Sequence, residues 1–211
     1  MKKFNFKTEF NLGNTSSDFK KYYELQKDEA GTISGRWVDQ MVRAFSEFLS
    51  NKDKNSNVLD IGCAYGIGII EMNKLGYINV AGVDLVKEKL QHAESLGLNV
   101  SQMDMHNLNL LDDEFDYSFM SHVIEHSIDP VKVVCEMIRV TKYTGFIIAP
   151  IEEPNGVGKN SPHTSPFRSE NDWLDVLKKV TEKTKDIAFT SEKKNRLGEE
   201  IWTTFTKRNR Q

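Results

Sequence analysis

Val58-Leu-Asp-Ile-Gly-Cys-Ala-Tyr-Gly-Ile-Gly68 is an apolar run that closes on an acid and passes into small, glycine-spaced residues. Val58 to Ile61 has the length and composition of a buried parallel strand, Gly62 to Gly66 reads as a tight turn, and Ile67 onward starts a helix. Gly62 permits a backbone that a Cβ would forbid, and Gly66 is expected to let the helix end come close to a ligand. Strand, loop and helix together form a nucleotide cradle.

Which nucleotide fits follows from the glycine order. A dinucleotide fingerprint runs G-x-G-x-x-G, because a pyrophosphate must sit against the helix N-terminus and bond its free N–H groups. Here the order is Gly62-x-Ala64-x-Gly66, and Asp60 stands immediately before the turn. An anion there repels pyrophosphate and suits a cationic ligand. S-adenosylmethionine carries an ammonium and a sulfonium and no phosphate, so it matches this charge better than NAD. An NAD-linked oxidoreductase is the rival from another enzyme class.

The stretch resembles motif I of the class I S-adenosylmethionine-dependent methyltransferases, in the type 11 small-molecule branch. Ala64 departs from the glycine most often found there, and a tighter pocket is expected. The resemblance implies an α/β, Rossmann-like fold: a seven-stranded mixed sheet of order 3-2-1-4-5-7-6 with helices on both faces, over about residues 36 to 207. It implies cofactor contacts from Asp60, Gly62, Cys63, Ala64 and Gly66, with S-adenosylhomocysteine as product.

The chain downstream supplies the remaining strand ends. Val80-Ala-Gly-Val-Asp84-Leu85 reads as the second strand, and a carboxylate at its end suits ribose hydroxyls about twenty residues beyond Gly62. A helix-capping role for Asp84 is the alternative. A third strand, Leu98 to Gln102, closes on Met103-Asp104-Met105. There the resemblance implies that Asp104 takes the adenine amino group while Met105 borders the ring; a carboxylate accepts such an N–H and a thioether packs on an aromatic face. The run Phe115-Asp116, His122-Val-Ile-Glu-His126 and Asp129-Pro130 looks like the same branch, with His122 also beside the cofactor. It gives a fourth strand and then a helix begun by Asp129 at the N-cap and Pro130 at N1, its apolar face formed by Val131, Val134, Cys135 and Ile138.

Around this centre, Arg36 to Ser50 has the period of an amphipathic helix carrying Trp37, Met41, Phe45 and Phe48. Lys87 to Leu96 is a further helix and Gly145 to Pro150 the fifth strand. Ser169 with Asp172 resembles a capping box for a helix over Glu170 to Val180 that turns Trp173, Leu174 and Leu177 inward. Asp186 to Ser191 and Glu200 to Lys207 read as a closing antiparallel pair. Residues 1–35 form an N-terminal arm, irregular over Lys2 to Asp18, in which Tyr22, Tyr23 and Gly31 to Gly35 lie where the family often places a lid; a plain surface helix and loop is the other reading. Residues 36–211 form the methyltransferase domain.

Methyl transfer is an in-line displacement on a carbon already activated by its sulfonium, so alignment is the main task of the protein. A hydroxyl or amine acceptor must still lose a proton, and histidine is the natural group to take it. The catalytic histidines expected are His122, His126 and His163, the last in a long loop over Ile151 to Pro166. His92 and His106 fall in stretches that read as a surface helix and a loop. Positions 122, 125 and 126 share one face of a helical turn, so His122, Glu125, His126 and His163 form an alternative divalent-metal set. Metal-using O-methyltransferases that act on quinone precursors and RNA 3′ ends look similar here, with Glu where this chain has His122. The expected reading is no metal. Phe167 and Arg168 are read as holding an aromatic or anionic acceptor, or as surface residues.

The 211 residues, with 28 Lys and Arg against 31 Asp and Glu, give a net charge of −3 and no basic face for nucleic acid. Two cysteines, Cys63 and Cys135, stand far apart without metal or redox spacing, which points to a reducing cytoplasm. No run approaches membrane-spanning length. The acceptor is expected to be a small molecule or saccharide, methylated on O or N. A methyltransferase-like protein that binds without catalysis is the alternative of another class.

Overall fold

A computed structural model describes residues 4, 20–24, 35–152, 163–195 and 198–208, with backbone only at 35–37 and 40. Apart from Phe4, the expected irregular arm lies outside the described residues. So do most of the Gly31 to Gly35 segment, the Trp37 side chain and residues 153–162 of the long loop.

The chain builds one seven-stranded sheet of order β3-β2-β1-β4-β5-β7-β6. Its strands are β1 (Asn57–Ile61), β2 (Asn79–Asp84), β3 (Val100–Gln102), β4 (Phe115–Ser121), β5 (Thr141–Pro150), β6 (Ile187–Asn195) and β7 (Glu199–Lys207). The first five pair in parallel, and β7 joins β5 and β6 antiparallel, as expected from sequence. The helices are α1 (Gly35–Leu49), α2 (Ile67–Lys74), α3 (Lys87–Ser95), α4 (Pro130–Val140) and α5 (Glu170–Lys183), with a 3₁₀ turn over Ile124–His126.

Two apolar cores sandwich the sheet. Phe45, Phe48 and Leu49 of α1 pack with Ile69 and Met72 of α2 on one face. On the other, Val134 and Met137 of α4 pack with Trp173 and Leu177 of α5 against Leu59, Ile61 and Ile147. Phe4 stacks on Phe115 at 4.7 Å between ring centres and so ties the start of the chain to this second core.

Several boundaries and faces differ from the sequence reading. β5 begins at Thr141, directly after α4, because the Thr141 hydroxyl donates to the Met137 carbonyl (2.6 Å) and bonds Ser118 Oγ (2.6 Å). The polar run Ser191 to Asn195 extends β6 as an edge strand, paired on one side by β7 and exposed on its side chains. α4 turns Val133, Val134, Met137 and Ile138 inward and leaves Val131 and Cys135 half-buried. In α5 the buried set is Trp173, Val176, Leu177 and Val180, spaced i, i+3, i+4, i+7, and Leu174 points to solvent. The Ser169–Asp172 capping box is formed.

Asp60 is the main displacement from expectation. Its side chain lies under the first turn of α2, where a Cβ on Gly68 would meet Asp60 Oδ2 at 2.4 Å. Burial, and then the charge of Asp84, push its pKa up to about 8. A carboxyl whose folded pKa is raised stabilises the fold fully below its unfolded value near 4, and that contribution is lost as pH rises through about 8. Asp60→Asn is therefore expected to flatten the fall in melting temperature of ligand-free protein between pH 5 and 8; an unchanged slope would show that Asp60 ionises normally. Gly145 gives a second prediction. A Cβ there would stand 2.2 Å from the Phe205 ring and 2.8 Å from Ser118 Oγ. Gly145→Ala should cost about 1–3 kcal/mol through overpacking and lower the melting temperature by several degrees.

Candidate active site

The carboxyl ends of β1 to β4 open into a cleft lined by Gly62, Ala64, Asp84, Asp104, Met105 and His122, among others. Each arrives by local necessity. The β1 strand ends in a turn in which Gly62 has φ 77°, Ala64 φ 44° and Gly66 φ 79°. Asp84 stitches this turn to β2: its Oδ2 accepts from the Ala64 amide (2.9 Å) and its Oδ1 from the Val86 amide (2.8 Å). Burial pushes the Asp84 pKa up, opposed by the Val86 amide, the Lys89 charge and the Ala64 amide. Leu85 and Val86 complete this wall.

At the end of β3, the Met103 amide bonds the Asp84 carbonyl (2.9 Å), and the next residue, Asp104, faces the cleft. Burial works to raise its pKa, but hydrogen bonds from the His106 ring and amide outweigh it and hold the carboxyl below its ordinary value. His106 is therefore no surface residue: it is 4% exposed. Tyr22, from the short helical stretch 20–24, reaches into the same cleft, where burial and then the charges of Asp104 and Asp84 raise its phenol pKa. Its neighbour Tyr23 donates to Glu88 on α3 (3.2 Å).

Three residues expected to contact a cofactor do not line the cleft. Besides Asp60, Cys63 is buried against β2, its Sγ 2.6 Å from where a Gly82 Cβ would stand. Gly66 makes room for Leu98 and Ala93, not for a ligand, since a Cβ would meet Leu98 at 2.4 Å. Gly62 likewise admits Val123, at 2.3 Å from its absent Cβ.

A second cavity adjoins the first. Its lining includes His122, Glu125, His126, Glu152, His163 and Glu200, so His122 and His126 belong to both. His122 has φ 53°, a left-handed backbone uncommon outside glycine, and its ring is held at both nitrogens. Nδ1 bonds Ser121 Oγ (3.0 Å) and Nε2 lies 3.2 Å from Glu200 Oε1. Glu200, 2% exposed, also accepts from Trp202 Nε1 (3.0 Å). The turn over Ile124–His126 places Glu125 and His126 beyond this bend, so His122 does not share their face as the spacing suggested.

Thr164 Oγ1 donates to the carbonyls of His126 (2.8 Å) and Ser127 (2.6 Å), which fastens the His163 segment over the turn. The rings of His126 and His163 meet edge to face at 4.6 Å, and His163 Nδ1 pairs with Glu152 Oε1. The side chains of Glu125, His126 and His163 bring one ligand atom each within 4.8 Å of one another. Phe167 is absent from this second cavity: it is buried against Trp173 at 5.1 Å, and Arg168 is exposed outside the lining. Glu200 and His106 were missed by sequence reasoning. Both sit in ordinary strand or loop contexts, and the His122 contact of Glu200 and the Ile128 contact of His106 form only across the fold.

No helix among the described residues is long and apolar enough to cross a membrane. Residues 59–149 match the model of the methyltransferase domain family. The chain is 31% identical over 132 residues to an uncharacterised protein of Methanocaldococcus jannaschii, a match covering 61% of this chain and 63% of that one. It is 30% identical to norajmaline N-methyltransferase of Rauvolfia serpentina, over 52% of this chain and 42% of the relative. These matches span about two fifths to under two thirds of the relatives' own lengths. The magnesium protoporphyrin IX methyltransferase of Synechocystis PCC 6803, solved with S-adenosylhomocysteine, shares the fold at a TM-score of 0.62 and 14% identity, over 91% of this chain and 95% of that one. Residues 59–149 thus resemble a methyltransferase domain, and the strand order around them is that of the class I S-adenosylmethionine-dependent methyltransferase fold.

Proposed function

We propose that the protein transfers a methyl group from S-adenosylmethionine to an oxygen or nitrogen of a small molecule or saccharide. The observation that carries this reading is the junction of two cavities at His122 and His126: one has acids at its ribose and adenine ends, the other is built of imidazoles and carboxylates. The residues present fit the adenosyl ligand. Asp84 offers acceptors for the ribose hydroxyls, Asp104 an acceptor for the adenine amino group, and Met105 with Leu85 apolar surface for the ring. Bound there, the cofactor supplies a methyl group already activated by its sulfonium.

The chain's own residues then have to orient the acceptor and take its proton. His122 is held at Nδ1 by Ser121 and at Nε2 by the buried Glu200, so it takes the acceptor's proton only at Nδ1, once the Ser121 hydroxyl turns away. His163, oriented by Glu152, lines the second cavity beside His126. Among the described residues that cavity has no lysine or arginine in its lining, which favours a neutral or cationic acceptor over a phosphate or carboxylate. The norajmaline relative's name, an N-methyltransferase, is consistent with a nitrogen acceptor.

A second reading, metal-assisted transfer to oxygen, is favoured by the convergence of Glu125, His126 and His163. The Glu152 contact engages Nδ1 of His163 and leaves Nε2 as the nitrogen to ligate. His122 drops out of the set, since its Nε2 faces Glu200.

Calorimetry is expected to show binding of S-adenosylmethionine and S-adenosylhomocysteine and none of NAD; the reverse preference would overturn the function. With an acceptor identified by S-adenosylhomocysteine release, His163→Ala should lower kcat by about a hundredfold while leaving cofactor affinity within about threefold. Equal losses in both would make the residue structural. For the metal reading, titration of chelator-stripped protein with Mn²⁺ should give one site that His163→Ala abolishes and His122→Ala preserves. Full turnover by metal-free protein would remove it.

A further inference from the structure

We propose that His106 is a positioning residue that fixes the rotation of the Asp104 carboxylate so that an oxygen stays aimed at the cofactor, and thereby confers selectivity for the 6-amino group of adenine. The inference rests on the adenosyl reading of the cleft and adds a residue that neither its lining nor the family match singles out.

His106 is buried between two fixed partners. Its Nδ1 lies 2.6 Å from Asp104 Oδ1, and its Nε2 lies 3.1 Å from the amide of Ile128. The amide can only donate, so Nε2 must carry a lone pair and the ring proton must sit on Nδ1. The ring N–H therefore donates to Asp104. The His106 amide donates to the same oxygen (2.9 Å), so both bonds converge on Oδ1 and leave Oδ2 as the oxygen turned to the cleft. A carboxylate on a short side chain otherwise rotates freely about its last bond and presents either oxygen. Two donors on one oxygen suppress that rotation, and the Tyr22 ring, edge-on to His106 at 6.1 Å, packs against the assembly.

The other end of the strut matters as well. Ile128 follows the turn that carries Glu125 and His126, and its amide anchors His106 outside the 104–107 loop. An imidazole spans this gap because its two nitrogens lie on opposite sides of the ring. Asparagine reaches as far as Nδ1 and glutamine as far as Nε2, so each amide side chain keeps one partner and gives up the other.

That difference makes the test specific. Affinities of the wild type, His106→Asn and His106→Gln are measured for S-adenosylhomocysteine and for its analogue whose purine lacks the 6-amino group. Wild type should prefer the amino-bearing ligand by about tenfold to a hundredfold, the range for a hydrogen bond to a charged acceptor. His106→Asn, which retains a donor to Asp104, should keep most of that preference. His106→Gln, which retains only an acceptor for Ile128, should reduce it to less than about threefold. Equal losses for both ligands in both variants would show that His106 merely supports the loop and would overturn the proposal. Loss of the preference in Asn but not in Gln would assign the effect to the Ile128 link and overturn it too. Wild type that binds neither ligand would overturn the adenosyl reading itself, whereas binding without an amino preference would sink the role of His106 alone.

Discussion

The cleft exists because the Asp84 carboxylate holds two amides that belong to different elements. Ala64, in the glycine turn after β1, donates to one oxygen, and Val86, at the start of α3, donates to the other. The Gly62 and Cys63 amides both reach the Val83 carbonyl just before it (2.8 and 3.0 Å), so with the Ala64 bond the turn is laced onto the end of β2 at three points. An unpaired buried carboxylate would cost several kcal/mol. Its pairing with backbone fixes the width of the cleft before any ligand arrives. Ala64 has to adopt φ 44° to make its bond, a left-handed conformation that costs an L residue about 1 kcal/mol. Glycine would meet the same geometry without strain, which is the physical sense of a glycine at that position in related turns.

A comparable strain sits at the other wall. His122 also has a positive φ, at the end of β4, where its amide bonds the Ile148 carbonyl (3.0 Å). The bend turns the ring away from the helical turn that follows and towards Glu200, on the antiparallel β7. The closing pair of strands therefore does more than cover an edge. It delivers a buried acid to a histidine at the boundary of two cavities, and the Trp202 indole clamps that acid from the same strand.

How much of this was legible in the sequence depends on how far apart the partners lie. Strand order, the glycine turn, Asp84 and Asp104 at their strand ends and the Ser169–Asp172 cap all follow from local pattern, and they stand where expected. The misplacements share one cause, a partner remote in the chain. Thr141 starts a strand where Ser118, 23 residues away, donates its hydroxyl to Thr141 Oγ1. His106 reads as a loop residue until Ile128 comes up beneath it, and Phe167 reads as an acceptor contact until Trp173 takes it into the core. The spacing of His122, Glu125 and His126 suggests one helical face, and only a backbone bend invisible in composition separates them.

The charge reading of the glycine stretch survives in altered form. Asp60 was to supply the anion that repels pyrophosphate, yet burial under α2 favours its neutral form near pH 7. The negative charge of the cleft then comes from Asp84 and Asp104, the acids that do line it, with Lys89 also in the lining. Of these, Asp104 is held charged by His106, and Asp84, though burial raises its pKa, is supported by two amides and a lysine. Two carboxylates against one ammonium leave the described lining net negative and rich in hydrogen-bond acceptors. The buried acid that opens the sequence motif thus packs under the first turn of α2, and the two acids beyond it line the cleft.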